Sequence, residues 1–92
     1  MVPIHPGRIL KRELATRGLS ASKLALALRV PSGRITSILN GKRAITPETA
    51  LRLGRYFGNS AQFWLNLQAR YDLLIVEREL GERIKAEVEH AA

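Results

Sequence analysis

The chain has no cysteine, which removes disulfides and thiolate metal sites. Its histidines, His5 and His90, lie near opposite ends, a poor basis for a metal centre. No Ser/His/Asp or Cys/His set can be assembled, and the glycines have no phosphate-loop spacing. A binding module is therefore expected rather than an enzyme, with no metal or cofactor. No apolar run approaches the roughly 20 residues of a membrane span, and no signal-peptide pattern precedes the first charges. A cytoplasmic chain with no membrane partner is expected. Acids are also few, at eight against fifteen Lys and Arg.

The distribution of charge says more than its total. Residues 1–55 hold eleven Lys and Arg against two acids, Glu13 and Glu48, whereas residues 56–92 hold four bases against six acids. A basic first half and a mildly acidic second half imply two faces with different partners. The basic part reads as an electrostatic footprint for a polyanion.

Hydrophobic spacing predicts helices throughout and no strands. A first helix starts near Pro6, keeps Leu10 and Leu14 one turn apart on its apolar side, and stops at Gly18. Ser20 caps a second, whose inward stripe is Leu24, Ala25 and Leu28. Thr46 caps a fourth that opens with Pro47 and ends at Gly58. Asn59, with Gln62 as its capping-box partner, is expected to cap a long fifth. The second and third helices are separated by "LRVPSG" alone. That is the helix-turn-helix layout, whose second member lies in the DNA major groove.

The third helix, "PSGRITSILNGKR" (residues 31–43), can be tested by geometry. At about 100° per residue, Ile35, Ile38 and Leu39 form the buried stripe. Gly33 and Ser37 point away from it, Thr36 and Asn40 lie on one flank, and Arg34 lies on the other. Ser32 sits nearer the core edge but within reach of the outward face. This face forgoes good helix formers in favour of small polar residues. Slim side chains let a backbone approach base edges, Ser and Thr can bond several bases, and Arg favours guanine. The expected base-reading set is Ser32, Gly33, Arg34, Thr36 and Ser37. Asn40, Gly41, Lys42 and Arg43 just past the helix, with Lys23 on the second helix, are expected at phosphates.

"LSASKLALALRVPSGRITSILNGKR" resembles the XRE/Cro-type helix-turn-helix of phage repressors, through Ala25, Val30, Ile35, Ile38 and Asn40-Gly41. Two positions depart from that pattern. Ala21 stands where the family often has a phosphate-contacting Gln, and Arg29 stands where the turn often has Gly. Further along, "AIT…TALRL…YFG" and "FWLNLQ…YDL" closely resemble the HigA (VapI-like) antitoxins, and the likeness covers about residues 4–75. The resemblance implies a compact, all-α, five-helix lambda-repressor-like domain. Residues 1–92 would form one domain, with a core over 4–75 and a helical extension over 76–92. It further implies a homodimeric antitoxin that neutralises a RelE-like mRNA-cleaving toxin and represses its own operon at a palindromic operator of double-stranded DNA. A stand-alone repressor without a toxin remains the alternative. A third reading, motivated by Ala21 and by the small residues on the outward face of the third helix, is an interaction module that no longer binds DNA.

Among the aromatics, Phe63, Leu67 and Tyr71 recur at i, i+4, i+8 and are expected in the core, whereas Trp64 is the candidate for an interface. The last helix carries a second apolar stripe, Leu65, Ala69, Leu73, Val76 and Leu80. A helix with two stripes in a small domain has a second surface to cover, and a homodimer built on residues 65–80 is expected. In the tail, the i,i+4 pairs Arg78–Glu82 and Glu79–Arg83 are expected, while Gly81 weakens the helix, and fraying is expected there.

Overall fold

The computed structural model describes residues 1–91. It contains α1 (Pro6–Arg17), α2 (Ala21–Leu28), α3 (Ser32–Leu39), α4 (Pro47–Phe57) and α5 (Ala61–Glu87). No strand occurs among the described residues.

Most helix ends follow from local chemistry. The Lys23 N–H donates to Ser20 Oγ and the Thr49 N–H to Thr46 Oγ1, so both expected caps form. Gly18 and Gly58 end α1 and α4 in the left-handed region, where a glycine meets no Cβ penalty. The start of α5 differs from expectation. Its cap is Ser60, whose Oγ accepts from the Phe63 N–H at 3.0 Å. Asn59 instead accepts the indole N–H of Trp64 at 2.9 Å, because a buried tryptophan needs a partner for its one donor.

The core is formed by Leu10, Leu14, Leu24, Ala25, Leu28, Ile35, Ile38, Ile45, Ala50, Leu53 and Trp64. The aromatic expectation is thus inverted. Trp64 is 1% exposed, while Phe63 is 43% exposed and packs edge-on against the indole. Leu67 and Tyr71 are half-buried. Helical spacing alone does not tell which of two adjacent aromatics turns inward; the approach of α4 decides it. That approach is close because Gly54 has no side chain. A Cβ there would lie 2.8 Å from the Ala61 nitrogen and the Ser60 carbonyl carbon.

The turn between α2 and α3 confirms an unusual backbone. Arg29 sits at φ 61°, ψ 44°, the one non-glycine residue with positive φ among those described. Its N–H donates to the Leu26 carbonyl, and the Val30 N–H donates to the Ala25 carbonyl at 3.0 Å. These two bonds close a Schellman motif, and they outweigh the steric cost of a Cβ in this region. Arg29→Gly is expected to raise stability by up to about 1 kcal/mol, because relief of strain exceeds the added chain entropy. Urea denaturation measures it, and an unchanged or lower midpoint would count against the strain.

The last helix outgrows the bundle. Its 27 residues span about 40 Å, and the molecule measures 52 × 22 × 22 Å. Gly81 does not interrupt it. The ion pair formed in this tail is Arg83–Glu87 at 3.4 Å rather than the two pairs expected.

Candidate nucleic-acid interface

α3 is held by its apolar side. Ile35 and Ile38 are fully buried and Leu39 is half-buried. Away from them, Gly33 and Thr36 are exposed, as is Ser32 at the N-terminal end of the helix, and Ser37 is half-buried. A Cβ added at Gly33 would meet nothing within 4 Å, so this position faces open space. The Thr36 hydroxyl donates to the Ser32 carbonyl at 3.0 Å, which leaves its oxygen free to accept. Four helices have a side-chain cap, from His5, Ser20, Thr46 and Ser60; α3 begins at Pro31 with none. Its first N–H groups carry the positive end of the helix dipole, an arrangement that favours phosphate.

The other end of α3 closes with a second Schellman pair. Gly41 N–H donates to the Ile38 carbonyl and Lys42 N–H to the Ser37 carbonyl, with Gly41 at φ 73°. Lys42 and Arg43 emerge exposed from this turn. Lys23 is exposed on the first turn of α2. A shallow cleft also brings Arg8 and Lys11 of α1 alongside Asn40 and Gly41. These two cations lie off the apolar side of α1 in the sequence, but nothing there places them beside the turn after α3.

Three further residues shape the site, and sequence reasoning missed all of them. Gln68 is buried on α5; its Oε1 accepts the Ile45 N–H at 2.8 Å, and its amide donates to Asp72. It thereby fastens the loop that carries Lys42 and Arg43. Glu48, on the first turn of α4, accepts from Arg34 and Arg52. Arg34, expected on the flank of the outward face, therefore rests against α4, with its side chain 24% exposed.

The third is His5. Its Nδ1 accepts the Gly7 N–H at 2.9 Å and so caps α1. Its ring packs edge-on against Tyr71, with Gly41 alongside. Burial holds its pKa below the ordinary value, although the Asp72 carboxylate and the Arg43 backbone oppose that shift. Protonation would turn the capping acceptor into a donor. The depressed pKa means that the stability His5 contributes is complete above about pH 6.5. It is lost as the pH falls through the lower folded-state value. His5→Asn, which caps without titrating, is expected to flatten the acid side of a plot of Tm against pH between about pH 7 and pH 5. An unchanged profile would assign the acid sensitivity elsewhere.

This is a slim, uncapped helix with its flanking cations, held by a two-helix turn. A family model described as Helix-turn-helix matches residues 10–64. Virulence-associated protein I of Dichelobacter nodosus is 54% identical over 80 residues, covering 86% of this chain and 74% of that protein. The structure of an addiction module antidote protein of the HigA family from Coxiella burnetii superposes with a TM-score of 0.96. It is 48% identical and covers 99% of this chain and 100% of the other. The chain belongs to the HigA (VapI-like) family of helix-turn-helix antitoxins. The structure of Pseudomonas aeruginosa antitoxin HigA with the higBA promoter also matches, with a TM-score of 0.96 and 42% identity, covering 99% and 100% of the two chains.

Membership gives the segment "FWLNLQARYDL" a physical meaning. Trp64 fills the core, Gln68 holds the loop after α3, Tyr71 packs on His5, and Asp72 receives the Gln68 amide. The same stretch ties α5 to the turn and loop that follow α3.

Proposed function

We propose that this chain is the antitoxin of a type II toxin–antitoxin pair. It neutralises a RelE-like mRNA-cleaving toxin, and as a homodimer it binds a palindromic operator to repress its own operon. The observation that carries the DNA half is the close likeness to a HigA antitoxin solved with its promoter, together with an α3 whose outward face is small, polar and uncapped. Ser32, Gly33, Arg34, Thr36 and Ser37 read base edges in the major groove. Asn40, Gly41, Lys42, Arg43 and Lys23 meet phosphates and set the register. The missing glutamine at Ala21 is offset by the open N-terminus of α3 and by the cations of α1. The toxin half rests on family membership.

Two measurements test the reading. Mobility shift against the DNA upstream of the coding sequence should show steeply salt-dependent binding. Lys42→Ala/Arg43→Ala should lower the log–log salt slope by about two and weaken all sequences alike. Co-expression with an adjacent short reading frame should recover a stable complex. Operator binding without any captured partner would favour the stand-alone repressor, and loss of both would favour an interaction module.

The homodimer is supported by the outer half of α5. Leu73, Val76 and Leu80 are exposed on one chain, as are Ile84 and Val88. Ala69 is exposed too, whereas Leu65 is half-buried against the core and belongs partly to the chain's own interior. A projecting helix with an apolar stripe gains stability by packing rather than by propensity.

A further inference from the structure

Glu48 is the sole acid between Glu13 and Asp72, and it stands beside the helix expected to enter the groove. A carboxylate on such a surface repels phosphate. Its place in the first turn of α4 gives it a favourable dipole interaction, but that does not account for its partners. Glu48 Oε2 accepts from Nε and Nη2 of Arg52 at 3.2 and 3.1 Å, and Oε1 accepts from Nη1 of Arg34 at 3.3 Å. Arg52 in turn donates through Nη1 to the Leu28 carbonyl at 2.9 Å. The relay begins on backbone in the last turn of α2, crosses α4 and ends on the third residue of α3.

We propose that Glu48, itself held by Arg52, is a specificity-determining positioning residue: it fixes the Arg34 guanidinium in one orientation at the edge of the base-reading face. This rests on the reading that Arg34 contacts a base. The guanidinium has five donors, and the structure commits one of them to Glu48, which leaves others for a guanine edge. A mobile arginine could satisfy a phosphate or several bases. A tethered one loses less rotamer freedom on docking and rejects partners that do not fit its fork. Glu48 thus lowers affinity for arbitrary DNA and raises discrimination at one base pair, which is how specificity is separated from affinity.

The test is selection of bound duplexes from a randomised DNA pool by the full-length wild type, Arg34→Ala, Glu48→Gln and Glu48→Ala, with salt-dependent binding to an arbitrary duplex and thermal melting alongside. Arg34→Ala identifies the position that Arg34 reads. At that position, both Glu48 variants should lose preference by about fivefold, while binding the arbitrary duplex more tightly than wild type. Arg52→Met should move preference the same way by a smaller factor. Melting should stay near wild type, since Glu48 is exposed; should Glu48→Ala melt early, Glu48→Gln decides. Wild-type preference in the Glu48 variants at the position Arg34→Ala relaxes would overturn the positioning role alone. Unchanged preference at every position in Arg34→Ala would overturn the base-reading role and this inference with it.

Discussion

Leu73→Glu/Val76→Glu is expected to be a folded monomer that binds a palindromic duplex about a thousandfold more weakly than wild type. Leu73 is 59% exposed on the single chain, and Val76 lies one turn further on the same stripe. Neither belongs to the core, so the bundle and its melting transition should survive the change. Four charges introduced across a two-fold contact meet one another, because each residue of an isologous interface faces its own copy or a near neighbour. Without the partner, a single recognition helix engages one half-site, and the second half-site, about 34 Å away, contributes nothing. Sedimentation velocity and mobility shift on a duplex selected by the wild type measure both effects. A variant that still sediments as a dimer would move the interface away from residues 65–80. A monomeric variant with undiminished affinity would show that the dimer does not serve DNA binding.

Gly7→Ala should be the most damaging single methyl in the molecule, with a loss of about 3 kcal/mol or more. Gly7 is buried where α1 crosses the end of α3. An added Cβ would overlap the Ile38 carbonyl oxygen and lie 2.8 Å from its carbon. Both are backbone atoms, so no rotamer change relieves the contact. The two helices would have to separate, and Leu10 and Ile38, each fully buried, would lose packing. The displaced element is the recognition helix, so DNA affinity should fall even where the protein remains folded. Urea titration followed by mobility shift at low temperature measures the two losses separately. A midpoint within experimental error of wild type would mean that α1 and α3 can part without cost. Gly33→Ala is the control, since its Cβ enters open space; it should leave stability unchanged or slightly raised.

Much of this was readable in the sequence. Ser20, Thr46, Pro47, Gly18 and Gly58 set helix ends, because a cap depends on residues within one turn of it. The apolar and slim sides of α3 followed from angular spacing around a single helix. Arg29 stands where the resembling turn often has Gly, and the backbone there has φ 61°. The errors were of a different kind. Asn59 and Ser60 are both good caps, and the choice between them depends on the buried Trp64 indole, which claims Asn59. Phe63 and Trp64 are neighbours with similar apolar content, and the close approach of α4 to α5 at Gly54 selects which one is buried.

By itself, then, the sequence determined an all-helical chain, the positions of most helix ends, the basic first half and the slim outward face of the third helix. Each is a property of composition or of residues a few positions apart. The tertiary structure alone decided how that face is held. Arg34 reaches Glu48 across 14 positions, Ile45 reaches Gln68 across 23, and Gly7 meets the backbone of Ile38. Such contacts have no signature in local spacing, because they arise only when separate helices, each stable in several relative placements, are fixed by one shared core.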